Sequence, residues 1–161
     1  MKTILILVCF ACLLSCHSSS GKDDTLSTLP AFNIQLTDST TILNAAAIPV
    51  GKPTIILFFR PDCTHCQAET QSLLSHIDSL QNVRIYMLAS APLAEIKGFY
   101  NHFHLDQYKN FTVGKDYDHS FARVFRPASV PYMAIYNSEK QLIKIYAEEA
   151  GIENILKSVR S

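Results

Sequence analysis

One stretch decides the fold of this chain: Phe58-Phe59-Arg60-Pro61-Asp62-Cys63-Thr64-His65-Cys66-Gln67-Ala68-Glu69. The apolar run of residues 54–59 ends at Pro61, and two cysteines spaced C-x-x-C then open a segment with helical apolar spacing. This pattern predicts a strand, a tight turn and a helix whose first turn carries two thiols. Cysteines at positions i and i+3 of a helix are neighbours, so a disulfide between them forms and opens with little chain movement. The stretch therefore predicts a redox-active pair.

The segments on either side of this stretch predict a buried β-α-β unit. The strand of residues 54–59 is apolar on both faces, which is typical of a sheet covered on both sides. The helix after the cysteines has its apolar stripe at alternating steps of four and three, with Cys66 at its head and Cys63 at its exposed end. Residues 83–89 form a second apolar strand, which we expect to lie parallel to the first after a right-handed crossover.

The remaining elements follow from periodicity and turn signals. We expect an early hairpin (strands 32–36 and 41–43), a short helical turn (44–48), a helix (92–103), a short strand (111–113), a helix (120–125), a late antiparallel hairpin (strands 132–136 and 142–146) and a closing helix (152–159). The order is a β-α-β half, a connector and a β-β-α half.

Residues 1–16 have the pattern of a targeting signal. Lys2 supplies the positive charge, and the apolar run of residues 3–14 is shorter than the about 20 residues that span a bilayer. The run ends in Leu13-Leu14-Ser15-Cys16, which resembles the lipobox of bacterial lipoproteins, where the signal is cut before the cysteine and that cysteine is lipidated. An ordinary secretory signal is the alternative, but no Ala-x-Ala site is present. Residues 17–30, rich in serine and poor in large apolar residues, predict a flexible tether ahead of a domain of residues 31–161.

The cysteine count and the charge narrow the function. Of five cysteines, Cys9 and Cys12 leave with the signal and Cys16 is blocked by its thioether, so Cys63 and Cys66 are the pair that remains free. Disulfides persist outside the cytoplasm, so a reversible pair there needs an electron donor, which we expect in the membrane. The 14 basic and 14 acidic residues leave no basic excess of the kind that nucleic-acid binding requires.

The order of elements, with C-x-x-C at the first helix and Val130-Pro131 before the late hairpin, resembles the thioredoxin superfamily over residues 32–159. The early hairpin, the long connector and the lipobox make the chain similar to membrane-tethered, extracytoplasmic TlpA/ResA-like reductases and redoxins. The resemblance implies an α/β thioredoxin-like fold, with a central mixed sheet, helices on both faces and an N-terminal β-hairpin extension. It places the protein on the periplasmic side of a membrane as an anchored lipoprotein.

The resemblance also assigns roles to the motif. It implies that Cys63 attacks, that Cys66 resolves, and that Pro131 is a cis proline lying against the pair; an ordinary trans proline opening an edge strand is the alternative. Reasoning from the residues agrees, because the free N–H groups and the positive dipole end of a helix stabilise a thiolate at Cys63. The disulfide between Cys63 and Cys66 is then the redox group, and no other cofactor is implied.

Two further residues are candidates for tuning the pair. An imidazolium at His65 would stabilise the thiolate and make the disulfide more oxidising, as in the periplasmic disulfide oxidases of this superfamily; a solvated histidine with little effect is the alternative. Glu69 matches a glutamate that ResA-like reductases hold near their cysteines. If half buried, Glu69 would accept the Cys66 proton. A surface glutamate on the first turn would only interact favourably with the positive end of the helix dipole. Arg60 and Asp62 act on the site with opposite signs, and Asp62 replaces the family's tryptophan.

These features predict a lipid-anchored thiol–disulfide oxidoreductase that reduces disulfides in extracytoplasmic proteins. A disulfide oxidase or isomerase is the alternative direction of the same chemistry. A copper- or metal-binding redoxin-like protein would use Cys63, Cys66 and a distant histidine such as His119, although zinc would need four ligands. A peroxiredoxin is disfavoured because Pro61, Thr64 and Cys66 are too close together for its motif. A tethered binding domain with a structural disulfide is the non-enzymatic alternative.

Overall fold

The computed structural model describes residues 24–161, which fold around one mixed sheet. Its seven strands are β1 (Asn33–Leu36), β2 (Ile42–Asn44), β3 (Thr54–Phe58), β4 (Arg84–Ala89), β5 (Phe111–Asp116), β6 (Tyr132–Tyr136) and β7 (Leu142–Tyr146). The signal peptide and lipidation site expected in residues 1–16, and residues 17–23 of the expected tether, lie outside the described residues.

The strand order in the sheet is β2-β1-β5-β4-β3-β6-β7. β3 and β4 are parallel, as are β4 and β5, and every other neighbouring pair is antiparallel. In the register, Ile55 of β3 lies between Ile85 of β4 and Ile135 of β6. The predicted mixed sheet and the N-terminal hairpin β1-β2 are confirmed.

The helices are α1 (Thr64–Ser75), α2 (Ile77–Leu80), α3 (Leu93–His102), α4 (Ser120–Phe125) and α5 (Ile152–Val159). Successive side chains of a strand point to opposite faces, so β3 contributes side chains to two apolar clusters, one on each face of the sheet. Ile55 and Leu57 pack with side chains of α1, α2, α3 and α5, and Ile56 and Phe58 pack with α4 and residues 32–48. Helices therefore cover both faces, and all of β3 is buried. None of the helices within residues 24–161 is long and apolar enough to span a bilayer.

The helix after the cysteines differs from the sequence expectation, because it is split at His76. The backbone of His76 leaves the helical region, with φ −119° and ψ 25°. Its N–H donates to the carbonyl oxygens of Leu73 and Leu74, which ends α1, and α2 then starts at Ile77. The apolar spacing continues through the break, so the stripe from Leu73 to Leu80 stays on the same core.

The chain enters the domain earlier than the predicted boundary at residue 31. The N–H of Leu29 donates to the carbonyl oxygen of Lys140 at 2.9 Å, and the N–H of Leu142 donates to that of Ser27 at 2.8 Å. Leu26 and Leu29 pack against the second apolar cluster. Residues 26–29 therefore extend the β6-β7 edge of the sheet instead of belonging to a free tether.

Candidate functional site

The two cysteines lie beyond the carboxyl end of β3. At that end Phe58 is paired with Leu88 of β4 and Tyr132 of β6, and the N–H of Phe59 continues the pairing by donating to the carbonyl oxygen of Leu88 at 2.9 Å. The chain then turns at Pro61, and the N–H of Cys63 donates to the carbonyl oxygen of Arg60 at 3.2 Å. This turn places the start of α1 over the end of the central strand.

Cys63 is the N-cap residue of α1, in an extended conformation with φ −85° and ψ 114°. Its Sγ accepts a hydrogen bond from the backbone N–H of Cys66 at 3.3 Å, in the way that a capping side chain satisfies a free N–H of a first turn. The Cys63 side chain is half-buried, whereas Cys66 is fully buried, and both are free thiols. One thiol is therefore open to a partner and the other is shielded.

The surroundings of the Cys66 thiol change its acidity. Burial of Cys66, followed by its hydrogen bond with the Cys63 side chain, raises the pKa of the Cys66 thiol to about 12. A thiol with so high a pKa is protonated at neutral pH and is a poor nucleophile until a base removes its proton.

The bond between Val130 and Pro131 is a cis peptide, which confirms the predicted isomer. Pro131 is buried and immediately precedes β6. The Cys63 thiol lies 3.9 Å from the carbonyl oxygen of Val130, to which it donates. The Val130–Pro131 segment thus forms the wall of the site across from α1.

Glu69 lies one turn after Cys66 on α1 and is only 3% exposed. Its Oε2 accepts a hydrogen bond from the N–H of Ala150 at 3.1 Å, and its Oε1 has no hydrogen-bond partner within residues 24–161. Burial raises the pKa of this carboxyl above its ordinary value; the Ala150 N–H opposes the rise and the negative charge of Glu149 adds to it. Glu69 is thus a buried acid that retains a free acceptor oxygen.

His65 is exposed, and its imidazole ring lies within hydrogen-bonding distance of the Glu149 carboxylate. Its Nδ1 lies 3.0 Å from Oε2 of Glu149, which belongs to the loop between β7 and α5. The same loop contacts Glu69 through Ala150, and the hydroxyl of Ser129 donates to the carbonyl oxygen of Ala147 at 2.6 Å. Residues 147–150 therefore connect α1 with the segment that precedes Pro131.

Glu149 and Ala150 were not predicted as parts of the site. Glu149 lies 84 residues from His65 in sequence, and Ala150 lies 81 residues from Glu69. Neither residue belongs to a local sequence motif, so only the tertiary contacts reveal that they are part of the site.

Arg60 and Asp62, whose charges were expected to act on the site with opposite signs, pair with each other. The Arg60 Nε lies 3.1 Å from Oδ1 of Asp62, with both side chains mostly exposed. Exposed pairs of this kind contribute at most about 1 kcal/mol to stability. Their opposite charges lie side by side, so the net field they exert on the cysteines is small.

Two hollows flank the cysteine pair, and Val130 lines both of them. The larger, of about 520 Å³, has an apolar floor and a rim that carries both charge signs. The smaller, of about 300 Å³, lies beside His65 and Pro131. Lining residues of the larger hollow include Phe58, Phe59, Arg60, Ala91, Arg126 and Pro127, and those of the smaller include Ser129, Glu148 and Glu149. A partner chain reaching Cys63 therefore meets concave surface on both sides.

A metal centre gains no support from the part of the chain that the structure describes. Across residues 24–161 there is no group of three or more His, Cys, Asp or Glu side chains arranged to hold an ion. Among the described side chains, neither His119 nor any other joins Cys63 and Cys66 as a third ligand.

No protein-family model and no curated protein matches the sequence. Solved structures do match the fold. A secreted Mycobacterium tuberculosis disulfide oxidoreductase, homologous to Escherichia coli DsbE, superposes with a TM-score of 0.66 at 20% identity, over 86% of this chain and 98% of that one. M. tuberculosis DsbF, in mixed oxidised and reduced forms, gives 0.64 at 20% identity, over 84% and 95%. A proposed protein disulfide isomerase from Bacteroides thetaiotaomicron gives 0.64 at 20% identity, over 84% and 85%. The fold of the chain is therefore thioredoxin-like.

Proposed function

We propose that the protein is a thiol–disulfide oxidoreductase that reduces disulfides of other proteins outside the cytoplasm. One observation carries this proposal: a half-buried thiol caps a helix directly over a fully buried second thiol, beside the cis Val130–Pro131 bond. The similarity of fold to disulfide oxidoreductases adds support. The same arrangement would serve an oxidase, and the charges around the pair favour the reductase direction.

The first step is attack by Cys63 on a partner disulfide. The Cys63 thiolate forms a bond to one partner sulfur, and the partner's S–S bond breaks, so that the other partner sulfur leaves as a thiolate and takes up a proton. The N–H of Cys66, which already donates to Cys63 Sγ, stabilises the attacking thiolate at the end of α1. The carbonyl oxygen of Val130 keeps the thiol facing the opening between the two hollows.

The second step releases the partner. Cys66 loses its proton and attacks Cys63 Sγ, which closes the Cys63–Cys66 disulfide and expels the second partner sulfur as a thiolate. Because burial raises the pKa of Cys66 to about 12, this step needs a base. Glu69 lies one helical turn away, buried and with Oε1 unpartnered in the described chain, and we assign it as the proton acceptor.

The surroundings of the thiols support reduction as the proposed direction. A disulfide becomes strongly oxidising when fixed positive charge stabilises the reduced thiolate. Here the Arg60 guanidinium is paired with the Asp62 carboxylate and the His65 ring lies against the Glu149 carboxylate, so positive charge at these two positions is offset by a neighbouring negative charge. The closed disulfide is then reopened by a dithiol donor, and two electrons and two protons pass from that donor to the partner protein. Lipidation of Cys16 would hold the protein on the periplasmic side of a membrane, near such a donor.

The test is to trap the intermediate with single cysteine variants. With a disulfide-bonded protein as partner, Cys66→Ser should accumulate the mixed disulfide through Cys63, and Cys63→Ser should form none and lose at least about 10³-fold in exchange rate. The adduct is resolved on non-reducing gels and located by mass spectrometry.

Equilibration of the unmodified pair with glutathione should give a reduction potential nearer the about −270 mV of thioredoxin than the about −120 mV of the oxidase DsbA. Exchange by Cys63→Ser at the full rate would refute the mechanism, and a potential near the upper value would reverse the direction.

A further inference from the structure

The end of the sheet opposite the cysteines carries a row of basic residues. Lys52 precedes β3, Arg84 begins β4 and Lys109 precedes β5, so three neighbouring parallel strands each have a basic residue at the amino end. All three line one hollow of about 770 Å³. Adjacent strands lie about 4.8 Å apart, so the three positions are close in space.

A fourth basic residue continues the row. Lys140, in the turn between β6 and β7, donates through Nζ to the carbonyl oxygen of Ala46 at 3.0 Å. The adjoining loop is attached to the same turn, because the N–H of Gly51 donates to the carbonyl oxygen of Ser138 at 2.8 Å. We call the surface formed by Val50, Lys52, Arg84, Lys109 and Lys140 the distal surface.

The positive charge of the distal surface is not neutralised by ion pairing. Within residues 24–161 none of its four basic side chains lies in an ion pair, and the Arg84 guanidinium donates only to main-chain carbonyl oxygens, those of Pro49, Val50 and Lys52. Two acids are nearby: Asp78 lines the hollow and Glu139 lies in the turn. The basic residues outnumber them.

The distal surface also presents an apolar side chain. Val50 is 59% exposed at the tip of the loop that leads into β3. An exposed valine among lysines and an arginine combines the two contacts that a protein makes with the headgroup region of a membrane.

The cysteine end of the molecule carries charges of both signs. The hollows beside the cysteines are lined by Asp62, Glu95, Glu148 and Glu149 and also by Arg60 and Arg126, and Arg60 pairs with Asp62. The distal surface, where basic residues outnumber acids, is the part of the molecule that an anionic surface would attract.

We propose that the distal surface docks on an anionic phospholipid membrane. Lys52, Arg84, Lys109 and Lys140 contact the headgroups and Val50 enters the interface, so that Cys63 stands away from the lipid by the length of β3, about 15 Å. The inference goes beyond the proposed exchange reaction and does not require Cys16 to be lipidated, because a chain without lipid has the same surface.

The test is binding of the unlipidated chain from residue 17, which retains all of residues 24–161, to phospholipid vesicles. Sedimentation should show binding to mixed phosphatidylglycerol–phosphatidylcholine vesicles and little to phosphatidylcholine alone. Each basic residue at an anionic surface strengthens attachment about fivefold, so Lys52→Glu with Lys109→Glu should weaken binding at least about 25-fold. High salt should release the unmodified chain.

The matched control makes the same change of charge at the cysteine end, with Lys115→Glu and Arg123→Glu. Lys115 is paired with Ala89 near the carboxyl end of β4, and Arg123 lies on α4, which packs there. This control should keep its vesicle binding, and disulfide exchange in solution by both double variants shows that they fold. Equal loss of vesicle binding in the two double variants would show that binding depends only on net charge, and this result would overturn the proposal. Absence of vesicle binding by the unmodified chain would also overturn the proposal. An acidic protein would then be the candidate partner of the distal surface, and the proposed exchange reaction would not be affected.

Discussion

At the scale of single residues, solvent access sets the order in which the two thiols act in the proposed exchange reaction. Cys63 is half-buried at the helix end, and Cys66 is fully buried one turn further on. A partner disulfide therefore reaches Cys63 first. Cys66 is then confined to attacking the one sulfur within its reach, and this confinement suppresses side reactions of the second thiol with other partners.

Glu69 should make folding stability depend on pH. Burial raises the pKa of this carboxyl in the folded chain, so the folded state holds the proton over a pH range in which the unfolded chain has lost it. The stability associated with the protonated form is complete below about pH 4.5 and is lost as the pH rises through the folded pKa. Glu69→Gln removes this titration, so its free energy of unfolding, relative to the unmodified protein, should increase from acid to neutral pH in urea titrations.

The same variant should slow partner release. Without the carboxylate, Cys66 is deprotonated less readily, and we expect the mixed disulfide on Cys63 to persist about 10²-fold longer in stopped reactions. Glu139→Gln, in an exposed turn beyond the sheet, should match the unmodified protein in both measurements. An unchanged lifetime of the mixed disulfide would remove Glu69 from the proton path and leave it as a buried structural acid.

The sequence predicts the reacting atoms better than their surroundings. The C-x-x-C spacing is a local signal, so the positions of Cys63 and Cys66 could be predicted from the sequence, whereas the cis isomer of the bond before Pro131 was expected from the family resemblance. The exposed His65 and the buried Glu69 both contact the loop before α5. Those contacts join residues that are far apart in the sequence, and no periodic pattern in the sequence predicts them. The roles of Glu69, His65 and Pro131 in exchange remain predictions.

At the scale of elements, the contact between β1 and β5 is tighter than any side chain permits. A Cβ added at Gly114 would lie 2.4 Å from the carbonyl oxygen of Gln35 and 2.5 Å from Cγ2 of Ile34. Gly114→Ala should therefore push the two strands apart and destabilise the domain by about 2–3 kcal/mol, measured by denaturant unfolding.

Gly98 offers the matched control, because it is exposed on α3 and nothing lies within 4 Å of an added Cβ. Gly98→Ala should raise stability by about 0.5–1 kcal/mol through helix propensity. If Gly114→Ala were as stable as Gly98→Ala, the close approach of β1 to β5 would be wrong.

The elements themselves were largely predictable because their patterns are local. The alternation of β1 and the apolar runs of β3, β4 and β6 gave their positions within a residue or two. The end of β5 was missed, since Gly114-Lys115-Asp116 has no apolar pattern and is held as a strand by pairing with β1 and β4. The break at His76 was missed because the apolar spacing runs through it.

At the scale of the whole molecule, residues 26–29 are part of the folded unit. Their two leucines are half-buried against the second apolar cluster, and their main chain bonds to the β6-β7 hairpin. A chain that starts at residue 31 should lose about 2 kcal/mol of unfolding free energy relative to one that starts at residue 24. Thermal and urea unfolding of the two chains measures the difference. Equal stabilities would mean that residues 26–29 belong to the tether and not to the folded unit.

The same attachment has a consequence for the order in which the protein can fold during its synthesis. The Tyr136 hydroxyl donates to the carbonyl oxygen of Leu26, a residue 110 positions earlier, and Thr28 forms a β-bridge with Gln141, which directly precedes β7. A ribosome adds about 5–20 residues per second, so the first segment waits on the order of 10 s for its partner strands to emerge. During that wait Leu26 and Leu29 are exposed apolar side chains. The sheet is thus completed only after nearly the whole chain has been made, and a chaperone that covers the emerging N-terminal segment would protect the protein longest.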